Sequence, residues 1–205
     1  MISRIKSSGG GAAMDGDRIK WDRRYREVER FFSLGPSRFL ADSLVRVLSL
    51  VPGRKALDLA CGEGRNSIYL AQQGFEVSGV DISPVGLERG RRRAADLGGS
   101  VRFIEADLDD WRPQGSYDLI LNFNFLMRGL LPSLVDSLSP GGVVLMETIL
   151  DAPSLQGEHR KEYLLQPGEL GTIFAAFDGR VLLLEEDACL ETPVARVLFQ
   201  KQKKG

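Results

Sequence analysis

The residues that could do chemistry lie where apolar segments of the chain end. Residues 56–60 form a short apolar run interrupted only by Asp58, and two glycines, Gly62 and Gly64, follow before a helical pattern begins. Strand, tight glycine turn and helix in this order are typical of the opening of a nucleotide-binding βαβ unit. The glycines permit positive φ angles, so a ligand could lie against bare backbone at this turn.

Two acids follow the next two predicted strands. Asp81 ends the strand at 75–80 and lies 17 positions after Gly64, close to where such folds place the acid that binds ribose hydroxyls. A carboxylate offers two acceptor oxygens at about the spacing of a diol. Asp107, after the strand at 101–105, could accept a hydrogen bond from an adenine amino group. The alternative roles are a helix-capping acid for Asp81 and a turn acid for Asp107.

The glycine spacing separates two classes of cofactor. A dinucleotide fingerprint requires a third glycine, and Ser67 stands at that position here. The small residues are Ala60, Gly62 and Gly64, and Glu63 in the turn would repel a diphosphate. A ligand with an adenosine and without phosphates therefore fits better than NAD, and an NAD-dependent reductase is the alternative.

Three stretches of the chain, at 58–67, 80–84 and 105–108, resemble the class I S-adenosylmethionine-dependent methyltransferases. Residues 61–71, Cys-Gly-Glu-Gly-Arg-Asn-Ser-Ile-Tyr-Leu-Ala, are more similar to the small bacterial methyltransferases of the tellurite-resistance type. The resemblance extends over residues 18–200. It implies a doubly wound, mostly parallel, seven-stranded Rossmann-like α/β sheet whose last strand is reversed.

The resemblance also implies S-adenosylmethionine as the cofactor and S-adenosylhomocysteine as its product. An N-terminal helix carrying Trp21, Tyr25 and Arg24 would lie over the cofactor, with Arg24 near its carboxylate; alternatively, the aromatic rings only anchor the helix to the core. Arg65 could pair with Glu63, cap the loop or contact the same carboxylate. The implied cofactor-binding residues are Asp58, Ala60, Cys61, Gly62, Gly64, Asp81, Ile82, Asp107, Leu108, Asn122, Trp21, Tyr25 and Arg24.

The spacing of apolar residues along the chain predicts the helices and strands that position these site residues. Residues 1–17 are rich in glycine and serine and predict a flexible tail. Residues 18–53 predict two amphipathic helices, which the resemblance identifies as a lid, and residues 54–205 predict the sheet core. Strands alternate with helices there, which indicates a mostly parallel sheet with helices on both faces. The last two strands, at 179–187 and 192–201, are too close in sequence for a parallel crossover and should form an antiparallel hairpin.

Methyl transfer from a sulfonium mainly needs in-line placement and exclusion of water. A general base is needed only if the acceptor must lose a proton, and His159 and Glu147 are the candidates for it. An ordinary surface histidine is the alternative for His159. The resemblance implies a small-molecule acceptor, such as a chalcogen oxyanion or a thiol. The alternatives are a protein or RNA acceptor, and a non-catalytic protein that binds S-adenosylmethionine.

Composition narrows the class of protein. The chain of 205 residues is long enough for one domain, over residues 18–205, and is 43% hydrophobic and 27% charged, as in soluble globular proteins. A net charge of −1 gives no general attraction to nucleic acid or to anionic membranes. We expect no membrane span and no metal site. Two cysteines without a disulfide pattern indicate the cytoplasm, and we expect a monomer or homodimer.

Overall fold

The computed structural model describes residues 10–28, 35–155 and 160–203. Its seven strands form one sheet in the order β3-β2-β1-β4-β5-β7-β6. They are β1 (Lys55–Leu59), β2 (Glu76–Asp81), β3 (Val101–Glu105), β4 (Tyr117–Phe123), β5 (Leu138–Ile149), β6 (Gly179–Asp187) and β7 (Val194–Lys201). The helices are α1 (Gly10–Glu27), α2 (Arg38–Leu50), α3 (Arg65–Gln72), α4 (Pro84–Asp96), α5 (Leu131–Asp136) and α6 (Glu169–Ala175), with single 3₁₀ turns at Arg128–Leu130 and Lys161–Tyr163.

The directions of the strands confirm the predicted topology. β1 to β5 pair in parallel, whereas β7 pairs antiparallel with both β5 and β6. The last two strands thus form the expected hairpin, with β7 between β5 and the edge strand β6. The strand order reverses between β1 and β4, so the carboxyl ends of these two strands flank the crevice where ligands bind in such sheets.

Helices cover both faces of the sheet, as predicted. On one face α2 and α3 bury Leu40 and Leu70 in a cluster with strand residues such as Leu145. On the other face α5 and α6 pack against the sheet, and the Phe174 and Phe199 rings lie 5.3 Å apart between centroids. Within the described ranges, no helix is long and apolar enough to cross a lipid bilayer.

The N-terminal segment differs from the predictions in two respects. α1 begins at Gly10, so residues 10–17 are helical rather than a flexible tail, and residues 1–9 lie outside the described residues. Ala12 and Ala13 favour a helix, which the neighbouring glycines obscured in the composition. α2 packs into the core rather than over the site, because Leu40 and Val47 are fully buried. α1 instead packs its Tyr25 ring against Gly62 and Gly86, beside the turn after β1.

The segment between β3 and β4 contains turns but no helix among residues 106–116. The connection before β5 differs from expectation. β5 begins at Leu138 and includes Pro140 to Gly142, which the sequence predicts as a turn before the strand. The pairing of β4 with β5 shifts register between Tyr117 and Leu119, and Pro140 lies in the part of β5 that this shift leaves out of the regular pairing.

A matched pair of glycines tests how tightly the turn after β1 is packed. Gly64 has φ +71 and a Cβ there would lie 2.7 Å from the Phe103 ring, whereas Gly74 has φ +82 with open space around it. We expect Gly74→Ala to lower the free energy of unfolding by about 1–2 kcal/mol, the cost of left-handed backbone. Gly64→Ala should cost about 1–3 kcal/mol more through overpacking. Urea denaturation measures both, and equal losses would contradict close packing of Phe103 on the turn.

Candidate functional site

The turn after β1 is built from residues in left-handed backbone conformations. Ala60, Gly62 and Gly64 have φ angles of 49°, 56° and 71°. Ala60 and Asn124 are the non-glycine residues with positive φ in the described part of the chain, and Asn124 follows β4 at the neighbouring strand end. Such strain clusters at functional sites, because a ligand-binding turn must present its backbone rather than its side chains.

Asp81 ties this turn to the start of α4. Its Oδ2 accepts a hydrogen bond from the Gly62 amide at 2.8 Å, and its Oδ1 accepts one from the Ser83 amide at 2.9 Å. The side chain is buried, and burial raises its pKa, although the Ser83 and Gly62 amides act in the opposite direction. Each carboxylate oxygen keeps a second lone pair that can accept a hydroxyl proton.

Asp58 lies beneath the turn. Its Oδ2 accepts a hydrogen bond from Ser67 Oγ at 2.5 Å, and the side chain is fully enclosed. Burial raises its pKa from 3.8 to about 7, and the Ser67 hydroxyl and the Arg65 guanidinium offset only part of this effect. Cys61 is also held inside the turn, where burial raises the pKa of its thiol well above the ordinary value.

Asp107 lies in the turn after β3, next to Asp81. Its Oδ1 accepts a hydrogen bond from the Asp109 amide at 2.9 Å, and its carbonyl accepts one from the Trp111 amide at 2.8 Å. Leu108 is buried, whereas Ile82, directly after Asp81, is half-buried. The Ala106 amide donates to the Asp81 carbonyl at 3.0 Å, which holds the two acid-bearing strand ends together.

Asn122 presents a buried polar atom at the end of β4. It pairs in register with Leu59 of β1 and Met146 of β5, and is 1% exposed. Its Nδ2 lies 3.8 Å from Met146 Sδ, while its Oδ1 has no hydrogen-bond partner among the residues that the structure describes. A buried amide oxygen without a donor costs about 1–3 kcal/mol, so a donor group from a bound molecule fits this position.

α1 brings Tyr25 directly over the glycine turn. The ring is 3% exposed and lies between Gly62 and Gly86, where a Cβ on Gly86 would approach it to 2.9 Å and one on Gly62 would overlap its hydroxyl. Trp21 packs beside it, with the ring centroids 6.1 Å apart. Arg24 is exposed, and its guanidinium lies 5.1 Å from the Trp21 centroid.

Arg65 is the first residue of α3 and directly follows Gly64 of the turn. Burial lowers the pKa of its guanidinium, and the carboxylates of Asp58 and Glu147 act in the opposite direction. Glu63, beside it in sequence, accepts a hydrogen bond from Arg89 at 2.9 Å. Arg65 is therefore better placed than Arg24 to meet an anionic group at this strand end.

Of the two candidates for a general base, Glu147 and His159, the structure describes only Glu147. Glu147 lies at the end of β5, where its Oε2 accepts a hydrogen bond from Arg196 Nε at 2.6 Å. The Arg196 guanidinium in turn lies 5.4 Å from the Phe39 centroid. His159 lies outside the described residues.

One residue close to the site was missed by sequence reasoning. Asp22 of α1 is buried, and its Oδ1 accepts hydrogen bonds from Ser83 Oγ at 2.6 Å and from the Val85 amide at 3.3 Å. In the sequence it stands among alternating charges, and its spacing to Arg26 matches an ordinary exposed helix ion pair. Ser83 caps α4, with its Oγ accepting a hydrogen bond from the Gly86 amide at 3.1 Å.

The buried carboxylate of Asp58 should make stability depend on pH. Because its pKa is raised from 3.8 to about 7, the folded state binds this proton more tightly than the unfolded chain. Its contribution is present below about pH 4 and is lost as the pH rises through 7, by about 1.4 kcal/mol per pH unit. Asp58→Asn should remove this slope in urea denaturation between pH 4.5 and 8, whereas the exposed Asp42→Asn should keep it. An unchanged slope in Asp58→Asn would show that the carboxylate stays charged throughout.

Comparisons with known proteins agree with this geometry. Residues 56–142 match the family model described as a methyltransferase domain. The trans-aconitate 2-methyltransferase of Acidovorax sp. (strain JS42) is 36% identical over 155 residues, which are 71% of this chain and 57% of that protein. The chain spans little more than half the length of this relative, and less than half of several other curated relatives.

Two crystal structures show the same fold. TehB from Haemophilus influenzae has a TM-score of 0.67 at 21% identity, over 78% of this chain and 62% of that one. Magnesium protoporphyrin IX methyltransferase from Synechocystis PCC 6803, with bound SAH, has a TM-score of 0.68 at 15% identity, over 93% of this chain and 99% of that one. The chain is therefore similar to methyltransferases both in the sequence of residues 56–142 and in its seven-stranded fold.

Proposed function

We propose that this protein is an S-adenosylmethionine-dependent methyltransferase that acts on a small-molecule acceptor. The observation that carries the proposal is the Asp81 carboxylate, which is bonded to the Gly62 amide beside a turn of left-handed residues. Asn122 Oδ1, at the end of β4, has no hydrogen-bond partner among the described residues. It is an independent reason to expect a bound group with N–H donors, and β4 is separated from β2 only by β1.

The residues present fit this cofactor. Asp81 would accept the ribose hydroxyls, and Asp107, one strand further out, would accept a hydrogen bond from the adenine amino group. Asn122 Oδ1 would accept from the ammonium of the methionine part, and Arg65 would meet its carboxylate. The remaining cofactor-binding proposals follow from position: Leu108 and Ile82 beside the adenine, and the backbone of Ala60, Cys61, Gly62 and Gly64 along the ligand, with Asp58 supporting the turn through Ser67.

The chemistry then depends mainly on placement. When bound, the cofactor supplies a methyl group on a sulfonium that is already activated. The protein's part is to orient the acceptor and exclude water, and the buried Tyr25 on α1 covers the turn in the required way. Glu147 is held by Arg196, so we assign no residue as a general base.

The acceptor is proposed as a class only. The relative from Acidovorax acts on trans-aconitate, a small molecule, and this supports a small acceptor here. A chalcogen oxyanion or a thiol remains within the proposal, and protein or RNA methylation is the outcome that would replace it. A cytoplasmic location and a monomeric or homodimeric state are further proposals, which the two free cysteines and the near-neutral net charge support.

Calorimetric titration with S-adenosylhomocysteine, with NADH as the control, tests the cofactor first. We expect micromolar binding of S-adenosylhomocysteine alone. Labelled methyl incorporation into a cell lysate, separated into macromolecular and small-molecule fractions, then tests the acceptor. Label confined to precipitated protein or RNA would contradict the small-molecule proposal, and binding of neither ligand would contradict the enzyme itself.

Asp81→Ala should raise the Kd for S-adenosylhomocysteine at least about tenfold, because a charge-assisted hydrogen bond is worth about 1.5–3 kcal/mol. Asp109→Ala removes an exposed acid close to the same site and is the matched control, with an unchanged Kd expected. Calorimetry at a temperature where circular dichroism shows both variants folded makes the comparison. A wild-type Kd in Asp81→Ala would mean that the ribose lies elsewhere.

Asn122→Leu should separate binding from stability. Removing a buried oxygen without a partner should leave the free energy of unfolding unchanged or higher, while the Kd for S-adenosylhomocysteine rises about tenfold. Gln200→Leu is the matched control, because the buried Gln200 Nε2 donates to the Gly141 and Leu50 carbonyls at 3.0 and 3.3 Å. That variant should lose about 1–3 kcal/mol of stability and bind normally. The opposite pattern would show that Asn122 is structural.

A further inference from the structure

Ser83 links two buried carboxylates that come from different parts of the chain. Its amide donates to Asp81 Oδ1 at 2.9 Å, and its hydroxyl donates to Asp22 Oδ1 at 2.6 Å. Asp81 ends β2 at the glycine turn, whereas Asp22 belongs to α1. A single residue at the start of α4 therefore connects the helix over the site with the acid proposed to bind ribose.

The contact of Asp22 is suited to holding α1 in one position. Besides Ser83, the Val85 amide in the first turn of α4 donates to its Oδ1 at 3.3 Å. A carboxylate is stabilised at a helix N-terminus, where unsatisfied N–H groups and the helix dipole meet it. Asp22 is 8% exposed, so solvent screens this interaction little. Its ion pair with Arg26 is longer, at 3.8 Å, and lies at the exposed side of the helix.

Asp22 fixes the position of α1, and α1 carries the Tyr25 ring that covers the glycine turn. Tyr25, one helical turn further along α1, lies between Gly62 and Gly86. Gly86 is also the residue whose amide donates to Ser83 Oγ at 3.1 Å. The Tyr25 ring and the Asp22 carboxylate therefore both contact the first turn of α4. A shift of α1 at Asp22 would move Tyr25 off the glycine turn.

We propose that Asp22 is a positioning residue that couples the docking of α1 to Asp81 through Ser83, and thereby sets the affinity for the cofactor. The inference rests on the proposed function, because it assumes that Asp81 binds the ribose. Asp22 itself touches no ligand in this scheme. It acts by keeping Tyr25 over the turn and by holding the Ser83 hydroxyl, so that the Ser83 amide stays aimed at Asp81.

The test compares Asp22→Ala, Asp22→Asn and Glu27→Ala. Glu27 is the matched control, because it also loses one charge and one helix ion pair, to Arg23 at 2.6 Å, on the exposed side of α1. We expect the Kd for S-adenosylhomocysteine to rise about tenfold in Asp22→Ala, within the usual range of coupling between sites. Asp22→Asn, which still accepts from Ser83 and Val85, should restore most of the affinity, and Glu27→Ala should match the wild type.

A spectroscopic readout follows α1 directly. The chain has two tryptophans, Trp21 on α1 and Trp111, so Trp111→Phe leaves Trp21 as the single reporter. In this background Asp22→Ala should increase acrylamide quenching of Trp21, and Glu27→Ala should not. If the wild type fails to bind S-adenosylhomocysteine, the proposed function fails, yet the quenching comparison still tests the docking of α1.

The link through Ser83 has its own test. In a Ser83→Ala background, Asp22→Ala should change the Kd less than about twofold, because the coupled path is already broken. Full additivity of the two substitutions would overturn the coupling. A wild-type Kd in Asp22→Ala, or an equal loss in Glu27→Ala, would overturn the role of Asp22.

Discussion

The hydrogen bonds that the Asp81 carboxylate accepts from Gly62 and Ser83 hold three structural elements together. They join the end of β1, the end of β2 and the start of α4. A buried carboxylate is costly unless its oxygens are satisfied, so these two amides are what allow an acid to remain at this position. The same bonds place the acid where the turn exposes its backbone.

Charge burial is the recurring feature of this edge of the sheet. Asp22, Asp58 and Asp81 are all less than one-tenth exposed, and each accepts at least one hydrogen bond from a hydroxyl or an amide. The hydrogen-bond donors at 2.9 Å or less to these three carboxylates are neutral amides and hydroxyls. Glu147, at the end of β5, is instead paired with the charged Arg196 guanidinium.

Sequence patterns predicted most of the sheet because strand and helix periods are local properties. The predicted strands at 101–105 and 179–187 match β3 and β6. The errors occur where composition competes with packing. Glycines beside Ala12 and Ala13 concealed the start of α1, and Pro140 lies inside β5 because a register shift accommodates it.

By itself, the sequence determined the order of elements and the position of each acid at a strand end, since parallel strands bring their carboxyl ends to one edge. Only the tertiary structure decided which groups meet there. It turned Asp22 inward onto Ser83 and, among the residues that the structure describes, left Asn122 Oδ1 without a donor. These outcomes depend on contacts between residues that are tens of positions apart in the sequence, and the local spacing of residues does not predict such contacts.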